Sequence, residues 1–118
     1  MYSDPTIQLI SLALDASLMR QTAIANNIAH ANSNNYKSIG VNFEQQLHDY
    51  EIVPGDLNQE TLAQIQPLYE QSDSSTPVSI AEQMALGVKN TTHYRALIKG
   101  LNHHVALMKL ALQGTKQS

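Results

Sequence analysis

The chain contains no cysteine and no tryptophan, and phenylalanine occurs once, at position 43. Without cysteine there is neither a disulfide framework nor a thiolate zinc site. Aromatic residues make up 5% of a chain that is 42% hydrophobic, so its apolar content is aliphatic and rich in alanine. That composition suits seams between helices better than a large globular interior. Basic residues are also scarce: 7 Lys and Arg stand against 10 Asp and Glu, a net charge of −3. Such a balance argues against an overall nucleic-acid footprint. No apolar run approaches the roughly 20 residues that span a bilayer. Met1–Pro5 lacks the basic stretch and apolar block of a Sec signal, so no cleaved leader is expected. At 118 residues, a single domain is the prior.

What charge there is has been segregated. Between Ser38 and Ser79 stand seven acids (Glu44, Asp49, Glu51, Asp56, Glu60, Glu70 and Asp73) and no Lys or Arg. From Ile80 onward there are five bases (Lys89, Arg95, Lys99, Lys109 and Lys116) against the single acid Glu82. Either these are differently solvated faces, or an acidic middle meets basic helices within a chain or between copies.

Two segments carry helical signals. Asp4 caps and Pro5 suits the first helical position, where its missing N–H costs nothing. Ile7, Ile10, Leu14, Ser17, Gln21, Ile24, Ile28 and Ala31 then keep a heptad spacing. Helix propensity collapses at Asn32–Asn35, where asparagine tolerates the left-handed conformation that ends helices. At the other end, Ser79 and Glu82 form a capping box, preceded by Pro77. Ile80, Met84, Gly87, Thr91, Tyr94, Ile98, Leu101, Val105, Met108 and Leu112 follow the same heptad rhythm, with Gly114 as the expected terminator.

The intervening stretch is less regular. Val41 and Phe43 suggest a short extended piece, Phe43–Leu47 a short helix, and Pro54-Gly55-Asp56 a turn. Leu57–Gln66 reads as an amphipathic helix ended by Pro67, and Ser72–Pro77 as a flexible linker. The expectation is an all-α domain in three parts. Residues 1–37 supply the N-terminal axial helix and Asn-rich turn, 38–78 an irregular acidic middle with one or two short helices, and 79–118 the C-terminal helix. The long helices pair antiparallel as a coiled-coil or helical bundle. Leu9, Leu12, Leu18, Leu97 and Leu110 lie off the seams, so other chains are expected to cover what a two-helix hairpin leaves exposed. A compact bundle of three or four helices, covered by Leu57–Gln66, is the alternative.

Catalytic constellations are missing. His30, His48, His93, His103 and His104 show no zincin spacing, and no phosphate loop, nucleophile elbow or Glu-x-x-His pair occurs. No enzyme, cofactor, metal, nucleic-acid partner or small-molecule substrate is expected. The informative stretch is Asn26-Asn27-Ile28-Ala29-His30-Ala31-Asn32, followed by Ser33-Asn34-Asn35-Tyr36-Lys37. Its amides crowd the end of an apolar helix, where asparagine is a poor helix former. They serve either to satisfy loose carbonyls at the helix end or to form a polar junction between packed subunits.

This stretch resembles the N-terminal signature of the bacterial flagellar axial proteins of rod and hook, which runs close to Asn-Asn-Ile-Ala-Asn-Ala-Asn-Thr-Pro-Gly-Tyr-Lys. Here His30 replaces the middle asparagine, and Ser33-Asn34-Asn35 stands where Thr-Pro-Gly is usual. Val41–Leu47 and Val78–Ala85, then Asn90, Tyr94 and Leu101-Asn102, are similar to the short basal-body rod members. The resemblance implies a structural subunit of the proximal rod, exported unfolded by the flagellar type III apparatus without a cleaved signal. It implies polymerisation through the terminal helices and self-association, next to other rod subunits, the ring–rod adaptor FliE and the membrane ring. The assembly motif would be Asn26, Asn27, Ile28, Ala29, Ala31, Asn32, Tyr36 and Lys37. The C-terminal seam would be Ile80, Met84, Tyr94, Ile98, Leu101, Val105 and Met108. Phe43 and Leu47 fit a Phe-x-x-x-hydrophobic motif for docking on the export gate, or else Phe43 anchors the middle segment. A cytoplasmic helical adaptor or export chaperone is the alternative function.

Overall fold

A computed structural model of the chain describes residues 4–73 and 75–117. Met1–Ser3, read above for a leader, and Ser74 of the expected linker lie outside the described residues, as does the side chain of Lys116. The element order is α1 (Pro5–Ala29), β1 (Ile39–Asn42), α2 (Glu44–Asp49), α3 (Gln59–Leu62), β2 (Leu68–Gln71) and α4 (Ile80–Gln117). The molecule is long and thin, 66 × 26 × 17 Å. Its length is set by α4, whose 38 residues span about 57 Å at roughly 1.5 Å per residue.

Local chemistry fixes the helix starts. The Asp4 carboxylate accepts from the backbone N–H groups of Thr6 and Ile7 at 2.7 and 3.1 Å, with Pro5 in the first turn. Ser79 Oγ accepts from the Glu82 N–H at 3.2 Å, which is one arm of the expected capping box. α1 closes at His30, and the chain turns through Asn35, whose φ of 61° is left-handed as expected. α4 does not stop at Gly114 but continues to Gln117. A glycine costs about 1 kcal/mol in a helix interior, too little on its own to end a long helix.

The all-α expectation needs one amendment. β1 and β2 form a two-stranded antiparallel ribbon in which Ile39 faces Gln71 and Asn42 faces Leu68. The Leu57–Gln66 helix shrinks to the single turn of α3, capped by Asn58, whose Oδ1 accepts from the Glu60 N–H at 2.8 Å. Its apolar residues still point inward, with Leu62 and Ile65 both buried. The Pro54-Gly55-Asp56 turn is present, closed by Asp56 N–H donating to the Val53 carbonyl at 3.0 Å.

The apolar core is small and lies on the N-terminal half of α1. Ala16, Phe43 and Ile65 form it, with Leu9, Leu12, Ala13, Val41, Leu47 and Ile52 packed around them. The middle segment thus covers Leu9 and Leu12, which were expected to await other chains. Leu18 and Leu110 do remain exposed.

α4 lies against α1 running the opposite way. Polar contacts tie Asp4 to His104, Ser17 to Asn90 and Asn27 to Gln83, so rising numbers on one helix meet falling numbers on the other. Among the described residues, α4 places no apolar side chain in the fully buried set; its buried residue is Asn90.

Candidate functional site

The Asn-rich signature builds a lock inside the chain. Asn27 is 2% exposed and its amide makes four hydrogen bonds. Its Oδ1 accepts from the Tyr36 hydroxyl at 2.7 Å and from the Ile39 N–H at 2.8 Å. Its Nδ2 donates to the Ile39 carbonyl at 2.9 Å and to Gln83 Oε1 at 3.0 Å. One side chain therefore joins α1, the turn, β1 and α4. Asn26 Nδ2 donates to the Tyr36 hydroxyl at 2.9 Å, and the Tyr36 ring stacks on His30 at 5.3 Å between centroids.

Asn27 and Tyr36 thus find partners within the chain. The remaining signature residues are freer: Ala29, Asn32 and Lys37 are exposed, while Ile28 and Ala31 are half-buried. Ile28 lines a shallow groove with Ile24, Met84, Val88 and Arg95 between the two long helices.

A second polar node sits midway along the helix pair. Ser17 Oγ donates to Asn90 Oδ1 at 3.0 Å, and Asn90 Nδ2 donates to the Ser17 carbonyl at 2.8 Å and to Gln21 Oε1 at 2.9 Å. Gly87 faces α1 here, where a Cβ on it would make an ordinary contact with Ile24 Cγ2 at 3.7 Å. Pairs of buried, mutually satisfied polar groups fix register, because sliding by one turn would orphan them.

The expected C-terminal seam is offset in consequence. Tyr94, Ile98, Leu101, Val105 and Met108 are half-buried, but Ile80 and Met84 are 40% and 60% exposed. The residues that bond or pack across to α1 are Gln83, Gly87, Asn90 and His104, with half-buried Tyr94 and Leu101 at the same spacing. Heptad spacing found Gly87, Tyr94 and Leu101, and missed Gln83, Asn90 and His104 because they are polar. The seven-residue interval from Gln83 to Asn90, and the fourteen from Asn90 to His104, were the available signal.

Phe43 is 3% exposed at the centre of the apolar cluster, and Leu47, one turn on, packs beside it. In the folded chain the pair is an anchor. A wider groove of about 800 Å³ opens between α1, the ribbon and α4, lined by Arg20, Asn27, Val41, Glu70, Gln83 and Lys89 among others. Across it Asn27 Nδ2 donates to Gln83 Oε1. Among the described residues no cluster of His, Asp and Glu is placed to hold a metal, and no helix is long and apolar enough to cross a membrane.

Among the described residues an ion pair and a histidine–carboxylate contact staple the layers. Arg20 grips Glu44 with both guanidinium nitrogens, one at 2.9 Å, and also donates to the Val41 carbonyl. His104 Nε2 donates to Asp4 at 3.2 Å. Burial pushes both carboxyls up, but their hydrogen bonds outweigh it. Asp4 is held below its ordinary 3.8 by His104 and the Ile7 and Thr6 amides, and Glu44 below its ordinary 4.5 chiefly by Arg20. A carboxyl depressed on folding stabilises the fold above its unfolded value and loses that contribution as pH falls through the folded one. Stability should therefore decline as pH drops below 4.5 and then 3.8. In urea titrations across this range, the Asp4→Asn, Glu44→Gln double variant should be less stable at neutral pH and show a flatter acid limb.

No protein-family model matches the chain. It is similar along nearly its whole length to a curated protein, the flagellar basal body rod protein FlgB of Bacillus subtilis (strain 168). The identity is 29% over 125 aligned positions, covering 94% of this chain and 95% of the relative. The resemblance expected from the signature and the last helix thus extends across the middle segment as well.

Proposed function

We infer that this chain, FlgB-like from end to end, is a structural subunit of the flagellar basal-body rod and serves motility without catalysing a reaction. The observation that carries this reading is the end-to-end similarity, in which both long helices and the short middle take part. The architecture supports it. A thin helix pair, held in register by buried amides and bearing exposed apolar residues along α4, is suited to lateral packing in a tube.

In the finer reading, the subunit sits in the proximal rod, beside other rod subunits, the adaptor FliE and the membrane ring. It arrives through the type III export apparatus as an unfolded chain and polymerises through its terminal helices as a coiled coil. The exposed signature residues Ala29, Asn32 and Lys37, with half-buried Ile28 and Ala31, belong to the assembly surface. Asn27 and Tyr36 act on it indirectly, by holding the turn and β1 in place. Phe43, buried in the folded subunit, and Leu47, half-buried beside it, become fully available to an export gate only while the chain is unfolded.

Removing the gene in its native host should abolish motility, and the wild-type gene should restore it. Ile28→Asp, which places a charge in the groove between the long helices, should leave synthesis intact and reduce swarming to the level of the deletion. A deletion strain that swims normally would end the rod-subunit reading.

A further inference from the structure

The acidic and basic segments do not neutralise each other within one chain. Among the described residues Arg20 pairs with Glu44 and His104 contacts Asp4, whereas Arg95, Lys99 and Lys109 of α4 meet no carboxylate. On one flank of α4, Met84, Val88, Arg95 and Lys99 follow one another at intervals of four, seven and four residues, so they form a stripe. Met84 and Val88 are 60% and 70% exposed, and both cations are exposed.

Beyond α2, the turn from Tyr50 to Asp56 presents the opposite composition. Tyr50 and Val53 are 43% and 50% exposed, set between the exposed carboxylates of Asp49, Glu51 and Asp56. Glu51 is held in a left-handed conformation, φ 54°, with its N–H donating to the His48 carbonyl. The knob is thus a shaped part of the fold.

We propose that the Tyr50–Asp56 knob of one copy seats on the Met84–Lys99 stripe of a second copy of this chain. This rests on the rod-subunit reading and names the surfaces that would meet. Tyr50 and Val53 cover Met84 and Val88, while Glu51 and Asp56 face Arg95 and Lys99. Each surface has one apolar pair and charges of one sign, so the match supplies both area and orientation. The two surfaces differ, so the contact is heterologous and leaves a knob and a stripe unused at the ends. That is the geometry of an open helical assembly rather than a closed dimer.

Because the chain has no cysteine, introduced thiols report this contact alone. Val53→Cys and Val88→Cys are co-expressed as separate chains in otherwise motile cells, which are then mildly oxidised. Cross-linked dimers should form from the mixture and not from either variant alone, and chains carrying both substitutions should give a ladder. Arg95→Glu with Lys99→Glu should lower the yield about tenfold, and pairing those chains with Glu51→Lys, Asp56→Lys chains should restore it. If the charge variants are not exported, the same oxidation of purified full-length chains at low ionic strength reads the same contact. Motile cells that give no dimer, or a yield indifferent to charge reversal, overturn the proposal and leave the rod-subunit reading standing. Normal motility in the deletion strain overturns the latter instead.

Discussion

Replacing Asn27 with alanine is expected to cost about 3–5 kcal/mol, since each buried partner left without a hydrogen bond costs roughly 1–3 kcal/mol. The change strips the Ile39 N–H and carbonyl of their shared partner, frees the Tyr36 hydroxyl and cuts the tie to Gln83. Against the roughly 5–15 kcal/mol that hold a typical domain together, such a loss removes a large share of the stability. Urea denaturation followed by circular dichroism checks this through the midpoint. Asn26→Ala, which loses one bond to a half-buried tyrosine, should cost about 1 kcal/mol. Equal losses in the two variants would mean that the four-bond geometry around Asn27 carries no special weight.

Phe43→Ala should be equally severe, about 3–5 kcal/mol, because truncating a buried phenylalanine loses its transfer energy and leaves a cavity. Few apolar side chains are available to close that cavity, whereas Phe43→Leu should cost under about 1.5 kcal/mol. The same residue separates its two expected roles. Ile65→Ala damages the same cluster by about 2–5 kcal/mol and leaves the Phe-x-x-x-Leu spacing untouched. If Phe43 also signals export, Phe43→Ala should remove the protein from the secreted fraction while Ile65→Ala remains in it. Equal secretion of both variants would confine Phe43 to its anchoring role.

These residues show which features of the chain are legible in sequence. The caps at Asp4 and Ser79, the left-handed Asn35 and the turn at Pro54-Gly55-Asp56 were all readable, because their chemistry is complete within four or five residues. β2 was not. Its four residues are all exposed, so no alternation marks them, and its partner strand lies about thirty residues earlier. The helix expected over Leu57–Gln66 failed for a related reason. Its apolar spacing is real, but burying Leu62 and Ile65 against α1 needs only one turn. The seam of α4 was half legible. Periodicity searches count aliphatic residues, and this helix pair is registered by Asn90, Gln83 and His104, whose partners lie 56 to 100 residues away.

The core's placement has a consequence in time. The buried cluster and everything packed against it fall between Leu9 and Ile65, so the first half of the chain holds what it needs to collapse before α4 exists. α4 then docks on that folded head through a short connection from β2, and the reward is polar bonds and half-buried contacts. So modest a gain makes its docking the most reversible step. Under the proposed export route, a chain delivered N-terminus first would pass through an interval in which its head is folded and its last helix is uncommitted. During that interval a neighbouring subunit of the proposed rod would compete with the chain's own α1 for the same helix, and the order of delivery would become a determinant of which pairing wins.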